Sequence, residues 1–150
     1  YTAGEPEVIK AMSKLQGQST SCPNSIAQHA AKEALIGPQA IINEMVEIFK
    51  TRRNIILDGL KSINHIECDI PRGAFYVFPN ISYFIGKSYK GEQINSANDL
   101  SMLLLKEKFI VTVSGESFGS VSNIRFSYAT SEEIINKMLD RLSSVLSLIK

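Results

Sequence analysis

The longest apolar periodicity in the sequence, from Ile41 to Ile63, constrains the fold most strongly. Its apolar residues recur at spacings of three, four and seven, which predicts one amphipathic helix. Gly37 and Pro38 mark its start, and at ~1.5 Å per residue a helix of about 25 residues is roughly 37 Å long. Such a length is more typical of a connector between domains than of an element within one, so residues 37–62 are predicted to form an inter-domain helix. The apolar positions are Ile41, Met45, Phe49, Ile56, Leu60 and Ile63.

Two shorter helices are predicted before this one. Pro6 suits the first position of a helix, where a missing N–H costs nothing, and helical spacing of apolar residues continues to Leu15. Residues 16–23 are polar and break that pattern. Ser25 and Gln28 then have the spacing of a capping box, which predicts the start of a second helix with an alanine-rich apolar face.

After Ser62 the pattern changes from helical to alternating. Short β-branched and aromatic segments predict strands, and a capping box at Thr130 and Glu133 predicts the last helix. Residues 63–150 are therefore expected to form a mixed α/β domain in which helices cover one face of a small sheet. The predicted strands are residues 65–70, 74–78, 109–113 and 123–128, and a further helix, capped by Asn98 or Asp99, ends at Lys108.

Charge and composition exclude several classes of function. Sixteen basic and fifteen acidic residues leave a net charge of +1, too little to attract nucleic acid or an anionic membrane. The apolar runs are too short to span a bilayer. Cys22 and Cys68 are far apart, and His29 and His65 have no ligand partners at suitable spacing, so we expect no disulfide framework and no metal site. Reduced thiols favour a cytoplasmic protein.

Arg125 is the candidate binding residue. Alternation along its strand predicts that Ile124 and Phe126 face the core, while Arg125 shares the other face with the small residues Ser127 and Ala129. A guanidinium with room around it can bind a carboxylate through two parallel hydrogen bonds, a geometry that lysine does not reproduce. The residues alone leave two alternatives open, an exposed strand arginine and an arginine paired with an acid of the same chain.

Five sequence segments form a recognisable set in this order along the chain. They are Glu7–Met12 (EVIKAM), Gln18–Gln28 (QSTSCPNSIAQ), Gly73–Pro79 (GAFYVFP), Val113–Gly119 (VSGESFG) and Ile124–Thr130 (IRFSYAT). Together they resemble the class I aminotransferases of fold type I, the aspartate aminotransferase family, and in particular its bacterial branch. Gly17 stands where another branch carries an arginine for the distal carboxylate of the substrate, which fits the branch that accepts aspartate and sometimes prephenate.

The resemblance implies a function. Family members move an amino group from an amino acid, here expected to be aspartate, to a 2-oxo acid through pyridoxal 5'-phosphate, which a lysine holds as a Schiff base. Arg125 matches the family's arginine that binds the α-carboxylate of the substrate. None of the lysines here matches the cofactor lysine. We therefore expect no catalytic and no cofactor-binding residue in this chain, and no activity from the chain alone.

The resemblance also implies a domain organisation within a homodimer. The chain begins at Tyr1 without a methionine, which we interpret as a cut through a larger protein whose cofactor lysine lies upstream of Tyr1. Residues 1–36 would be the tail of the large cofactor-binding domain and residues 63–150 the small C-terminal domain. Residues 18–24 resemble a stretch near the active site of the neighbouring subunit.

Two other functions remain possible on the sequence. The C-terminal domain could be a free-standing module that binds a small carboxylate without catalysis, since no catalytic base or nucleophile is recognised in it. The long helix could also serve as a surface for another protein.

Overall fold

The long helix is present in the computed structural model, which describes residues 1–150, as α3 (Ala40–Lys61). Its 22 residues correspond to a length of ~33 Å. The C-terminal half of α3 is anchored by Ile56 and Leu60, whose side chains are fully buried. Ile41 and Met45, near its start, are exposed, so only part of the predicted apolar stripe packs against other residues of the chain.

The chain divides into two units, residues 1–41 and residues 42–150. The first unit contains α1 (Pro6–Ser19) and α2 (Ser25–Ile36), neither of which buries a residue. Helix α1 continues through Ser19, so the prediction that residues 16–19 leave the helix is wrong. Helix α2 starts where predicted, but the cap is Asn24, whose Oδ1 accepts the backbone N–H of Ile26 at 2.9 Å.

The second unit contains a three-stranded antiparallel sheet built from β1 (Tyr76–Val77), β4 (Val113–Ser114) and β5 (Ile124–Ser127). The strands lie in the order β1-β5-β4, with β5 in the middle. Val77 lies opposite Phe126, and Val113 lies opposite Arg125. The strands β2 (Ser88–Tyr89) and β3 (Glu92–Gln93) form a separate hairpin outside the four predicted strands.

Helices α4 (Ala97–Lys108) and α5 (Glu132–Leu146) complete this unit. Apolar residues of both helices join the inner face of the sheet and the end of α3 in one core, so the predicted mixed α/β architecture is confirmed. Among the large side chains that are almost completely buried are Ile56, Leu60, Ile81, Leu100, Leu104, Ile124, Ile135 and Leu142.

Two predicted strands are shorter than expected. Residues 65–70 make a single bridge, between Glu67 and Asn80. The carbonyl oxygen of Pro79, the next residue of the facing segment, accepts the backbone N–H of Ile124 at 3.3 Å. Over residues 109–113, Phe109 adopts a left-handed conformation (φ 55°) that ends α4, so only Val113 enters the sheet.

Two helix caps also differ from the prediction. Ser131, not Thr130, caps α5, because its Oγ accepts the backbone N–H of Ile134 at 3.3 Å. Ser96 caps α4 by accepting the N–H of Asp99 at 3.0 Å. Each observed cap lies one to three residues from the position that the sequence pattern favoured.

Candidate functional site

Arg125 lies in β5, the middle strand of the three-stranded sheet. Its neighbours Ile124 and Phe126 are 1% and 2% exposed, and the next apolar residue of the segment, Tyr128, is 2% exposed. The alternation therefore places these three side chains in the core as predicted. Arg125 is half-buried on the opposite face, which it shares with the exposed Ser127.

Two aromatic rings flank the guanidinium of Arg125. Its Cζ atom lies 4.2 Å from the centroid of the Tyr76 ring and 4.5 Å from the centroid of the Phe118 ring. Tyr76 pairs with Ser127 across β1 and β5, so its side chain emerges on the same face as Arg125. Cations are attracted to the faces of aromatic rings at such distances. The two rings therefore hold the arginine side chain while leaving its charge uncompensated.

The charge of Arg125 has no acidic partner in the chain. The two ion pairs of the structure join Lys50 to Glu47 and Lys90 to Glu107, and both lie elsewhere. Of the two alternatives left open by the sequence, an arginine paired with an internal acid does not match this geometry. A planar cation held on a sheet face without a counter-ion can bind a carboxylate.

The loop after β4 fixes the position of Phe118. A 3₁₀ helix, Gly115–Phe118, begins at Ser114, whose Oγ accepts the N–H of Glu116 at 3.3 Å. Gly119 ends it in a left-handed conformation (φ 80°) that favours glycine. The ring of Phe78 meets Phe118 edge-on, with centroids 6.1 Å apart. The serine at position 114 therefore stabilises the start of this turn.

Asn123 ties the same loop to β1. Its Nδ2 donates to the carbonyl oxygen of Phe78 at 2.8 Å, and its Oδ1 accepts the hydroxyl of Ser120 at 2.6 Å. The backbone of Gly115 packs so closely against Asn123 and Ser120 that a Cβ there would overlap their carbonyl oxygens. The loop that carries Phe118 is thus held by backbone packing on one side and by a side-chain amide on the other.

The sequence did not assign a role to Tyr76 or Phe118, although both lie in segments that carry the resemblance. Alternation from the buried Val77 could have placed Tyr76 on the face of Arg125. No comparable signal existed for Phe118, because its direction depends on the 3₁₀ helix and on the left-handed Gly119.

None of the lysine side chains of this chain is buried. A cofactor lysine needs a desolvated amine with a lowered pKa. The hydrogen bond that Lys90 donates to Glu107 raises the pKa of its ammonium group, and the other lysines are exposed or at most half-buried. No group of three or more potential metal ligands is present. No helix has the length and apolar character needed to cross a membrane.

Comparison with known proteins gives one consistent family. Residues 1–142 match the family described as aminotransferase class I and II. The chain is 39% identical over 145 residues to an aspartate aminotransferase of Rhizobium meliloti and 42% identical over 145 residues to an aspartate/prephenate aminotransferase of Cereibacter sphaeroides. Both alignments cover 96% of this chain, but only 35% and 36% of the two relatives.

A solved structure of the same family is similar to this chain. The crystal structure of the aspartate aminotransferase from Rhizobium meliloti superposes with a TM-score of 0.93 at 38% identity. The match covers 99% of this chain and 37% of that protein. The chain therefore spans little more than a third of the length of the proteins that it resembles.

Proposed function

This chain belongs to the class I and II aminotransferases, and from that premise we propose that it is the carboxylate-binding part of an enzyme that transfers an amino group from an amino acid to a 2-oxo acid. The observation that supports this most directly is Arg125, a half-buried arginine that has no acidic partner and is flanked by two rings on an open sheet face. Both substrates of such a reaction carry a carboxylate next to the reacting carbon, so one arginine serves both.

Aspartate is the amino donor that we propose. Two of the similar proteins are named aspartate aminotransferase and aspartate/prephenate aminotransferase. Gly17 supports the same choice of branch, because it stands where the other branch of the family carries an arginine for the distal carboxylate.

Arg125 acts by orientation. Two parallel hydrogen bonds from a guanidinium fix both the position and the plane of a carboxylate. Fixing that group aligns the adjacent Cα–H bond for proton removal, and such positioning contributes a large share of many rate enhancements. When bound, pyridoxal phosphate supplies the electron sink for this chemistry.

The cofactor and its lysine are proposed to belong to the rest of the enzyme. The chain covers only 35% of one curated relative, and none of its lysines matches the family's cofactor lysine. Residues 1–36 then belong to the large domain, residues 37–62 to the connecting helix, and residues 63–150 to the small C-terminal domain of a cytoplasmic homodimer. Residues 1–150 alone are expected to be inactive.

The carboxylate role is tested by Arg125→Lys in the full-length enzyme. Lysine keeps the charge but loses the two-pronged geometry, so we expect the KM for the amino acid to rise by about tenfold to a hundredfold. Steady-state kinetics with the amino acid and the oxo acid measure the change. Arg72→Lys, at an exposed arginine, is the matched control. An unchanged KM in Arg125→Lys would refute the assignment.

A free-standing carboxylate-binding module is the second candidate, because Arg125 and its two flanking rings lie within residues 42–150. Calorimetry on residues 1–150 with aspartate separates the two candidates. Clear binding by the chain without cofactor supports the module, whereas binding only by the full-length enzyme supports the aminotransferase.

A further inference from the structure

We propose that Tyr76 and Phe118 form an aromatic clamp, and that these positioning residues hold Arg125 ready for the substrate carboxylate. The proposal rests on the proposed function and adds two residues to it. In the sheet order β1-β5-β4, Tyr76 comes from one side of β5 and Phe118 from the loop on the other side. Their ring centroids lie 4.2 Å and 4.5 Å from the Cζ atom of Arg125.

The clamp restricts where the guanidinium can go. Tyr76 blocks movement of the side chain toward β1, and Phe118 blocks movement toward the loop after β4. The direction that remains points away from the sheet, where the N–H groups can meet a carboxylate. An arginine side chain has many rotamers, and restricting them before binding reduces the conformational entropy that the substrate must remove.

Phe118 lies outside the core, and its ring contacts Phe78 as well as Arg125. Its side chain is 50% exposed and does not join the core. The loop nevertheless holds it through the cap at Ser114, the close packing of Gly115 and the amide of Asn123. A half-exposed phenylalanine held this firmly against an unpaired arginine is accounted for by the clamp.

The first measurement compares Phe118→Leu with Phe118→Tyr in the full-length enzyme. Leucine keeps an apolar side chain but removes the ring that attracts the cation, whereas tyrosine keeps the ring. We expect Phe118→Leu to raise the KM for the amino acid and for the oxo acid by a similar factor, about threefold to twentyfold, with a smaller change in kcat. The Phe118→Tyr enzyme should keep both KM values close to those of the wild type.

Thermal denaturation of the same variants separates positioning from general damage. Because Phe118 is half-exposed, Phe118→Leu should unfold close to the wild-type temperature. A large loss of thermal stability together with equal losses in KM and kcat would show a structural role and overturn the clamp. So would a Phe118→Leu enzyme with unchanged KM values.

Chemical rescue tests the clamp directly. Arg125→Ala should be weakly active, and free guanidinium ion at non-denaturing concentration should restore part of the activity by entering the space between the two rings. The double variant Arg125→Ala/Phe118→Leu should show much weaker rescue. Rescue that is equal in the two variants, or absent from both, overturns the clamp. Full activity of Arg125→Ala without guanidinium would instead refute the proposed function itself.

Discussion

Gly115 is the residue at which the loop beside Arg125 accepts no side chain. A Cβ at this position would overlap the backbone carbonyl oxygens of Asn123 and Ser120, neither of which can move freely. We expect Gly115→Ala to lower the free energy of unfolding by about 2 kcal/mol or more, as measured by chemical denaturation. Gly73→Ala is the control, because its Cβ would enter open space. Equal stability of the two variants would contradict the packing described for this loop.

Tyr128 links the end of β5 to the segment before β1. Its hydroxyl donates to the carbonyl oxygen of Ala74 at 3.0 Å, and burial raises the pKa of the phenol. Tyr128→Phe removes this hydroxyl and should lower the free energy of unfolding at neutral pH by about 0.5–1.5 kcal/mol.

The raised pKa of Tyr128 also predicts a pH dependence. The folded state holds the phenolic proton more tightly than the unfolded state, so this stabilisation is complete below the unfolded pKa near 10 and is lost as the pH rises above it. Denaturation of wild type and Tyr128→Phe between pH 7 and 11 should show the difference shrinking only at the alkaline end. A difference that shrinks below pH 9 would contradict this assignment.

Among the site residues, the sequence predicted the position of Arg125 but gave no indication of the position of Phe118. Strand alternation was sufficient to place Arg125 opposite the core residues Ile124 and Phe126, because a period of two survives even in a strand of four residues. The ring of Phe118 reaches Arg125 through tertiary packing around Gly115 and Asn123. Such packing has no local pattern in the sequence.

At the scale of elements, the cap of α5 is the clearest difference between pattern and structure. The hydroxyl of Ser131 accepts the N–H of Ile134, whereas the sequence favoured Thr130 with Glu133. Loss of an N-cap hydroxyl usually costs about 1 kcal/mol. We expect Ser131→Ala to lower the melting temperature more than Thr130→Ala does in thermal denaturation. The reverse order would favour the capping box predicted from the sequence.

The elements themselves were predictable to different degrees. The observed lengths of α3 and α5 are close to the predicted ones, because a long apolar periodicity is a strong signal for a helix. The predicted strands are longer than the observed strands. Local composition indicates a tendency to extend, but pairing also depends on what lies opposite. At Phe109, for example, the backbone turns left-handed and ends α4, so that only Val113 of the predicted strand pairs.

At the scale of the whole molecule, the two units differ in how much apolar surface they bury. Helices α1 and α2 have 14 and 12 residues and bury none of them, whereas residues 42–150 contain the entire core. Isolated helices of about 12–15 residues are marginal in water.

This difference predicts separate behaviour of the two units. A peptide of residues 1–41 should show weak helicity by circular dichroism at low concentration, and residues 42–150 should unfold cooperatively on heating. The intact chain serves as the reference for both measurements. A fully helical peptide 1–41, or a non-cooperative melt of residues 42–150, would contradict the expectation.

The register of β5 has a consequence for the fidelity of folding. Because side chains alternate, a slip of one residue against β1 would turn Arg125 into the core and Phe126 out to solvent. An unpaired guanidinium in an apolar interior is strongly unfavourable, so the misaligned sheet is unstable. The charge that is proposed to bind the substrate therefore also makes the misaligned sheet less stable than the correct one. Molecules that complete folding have Arg125 on the open face of the sheet.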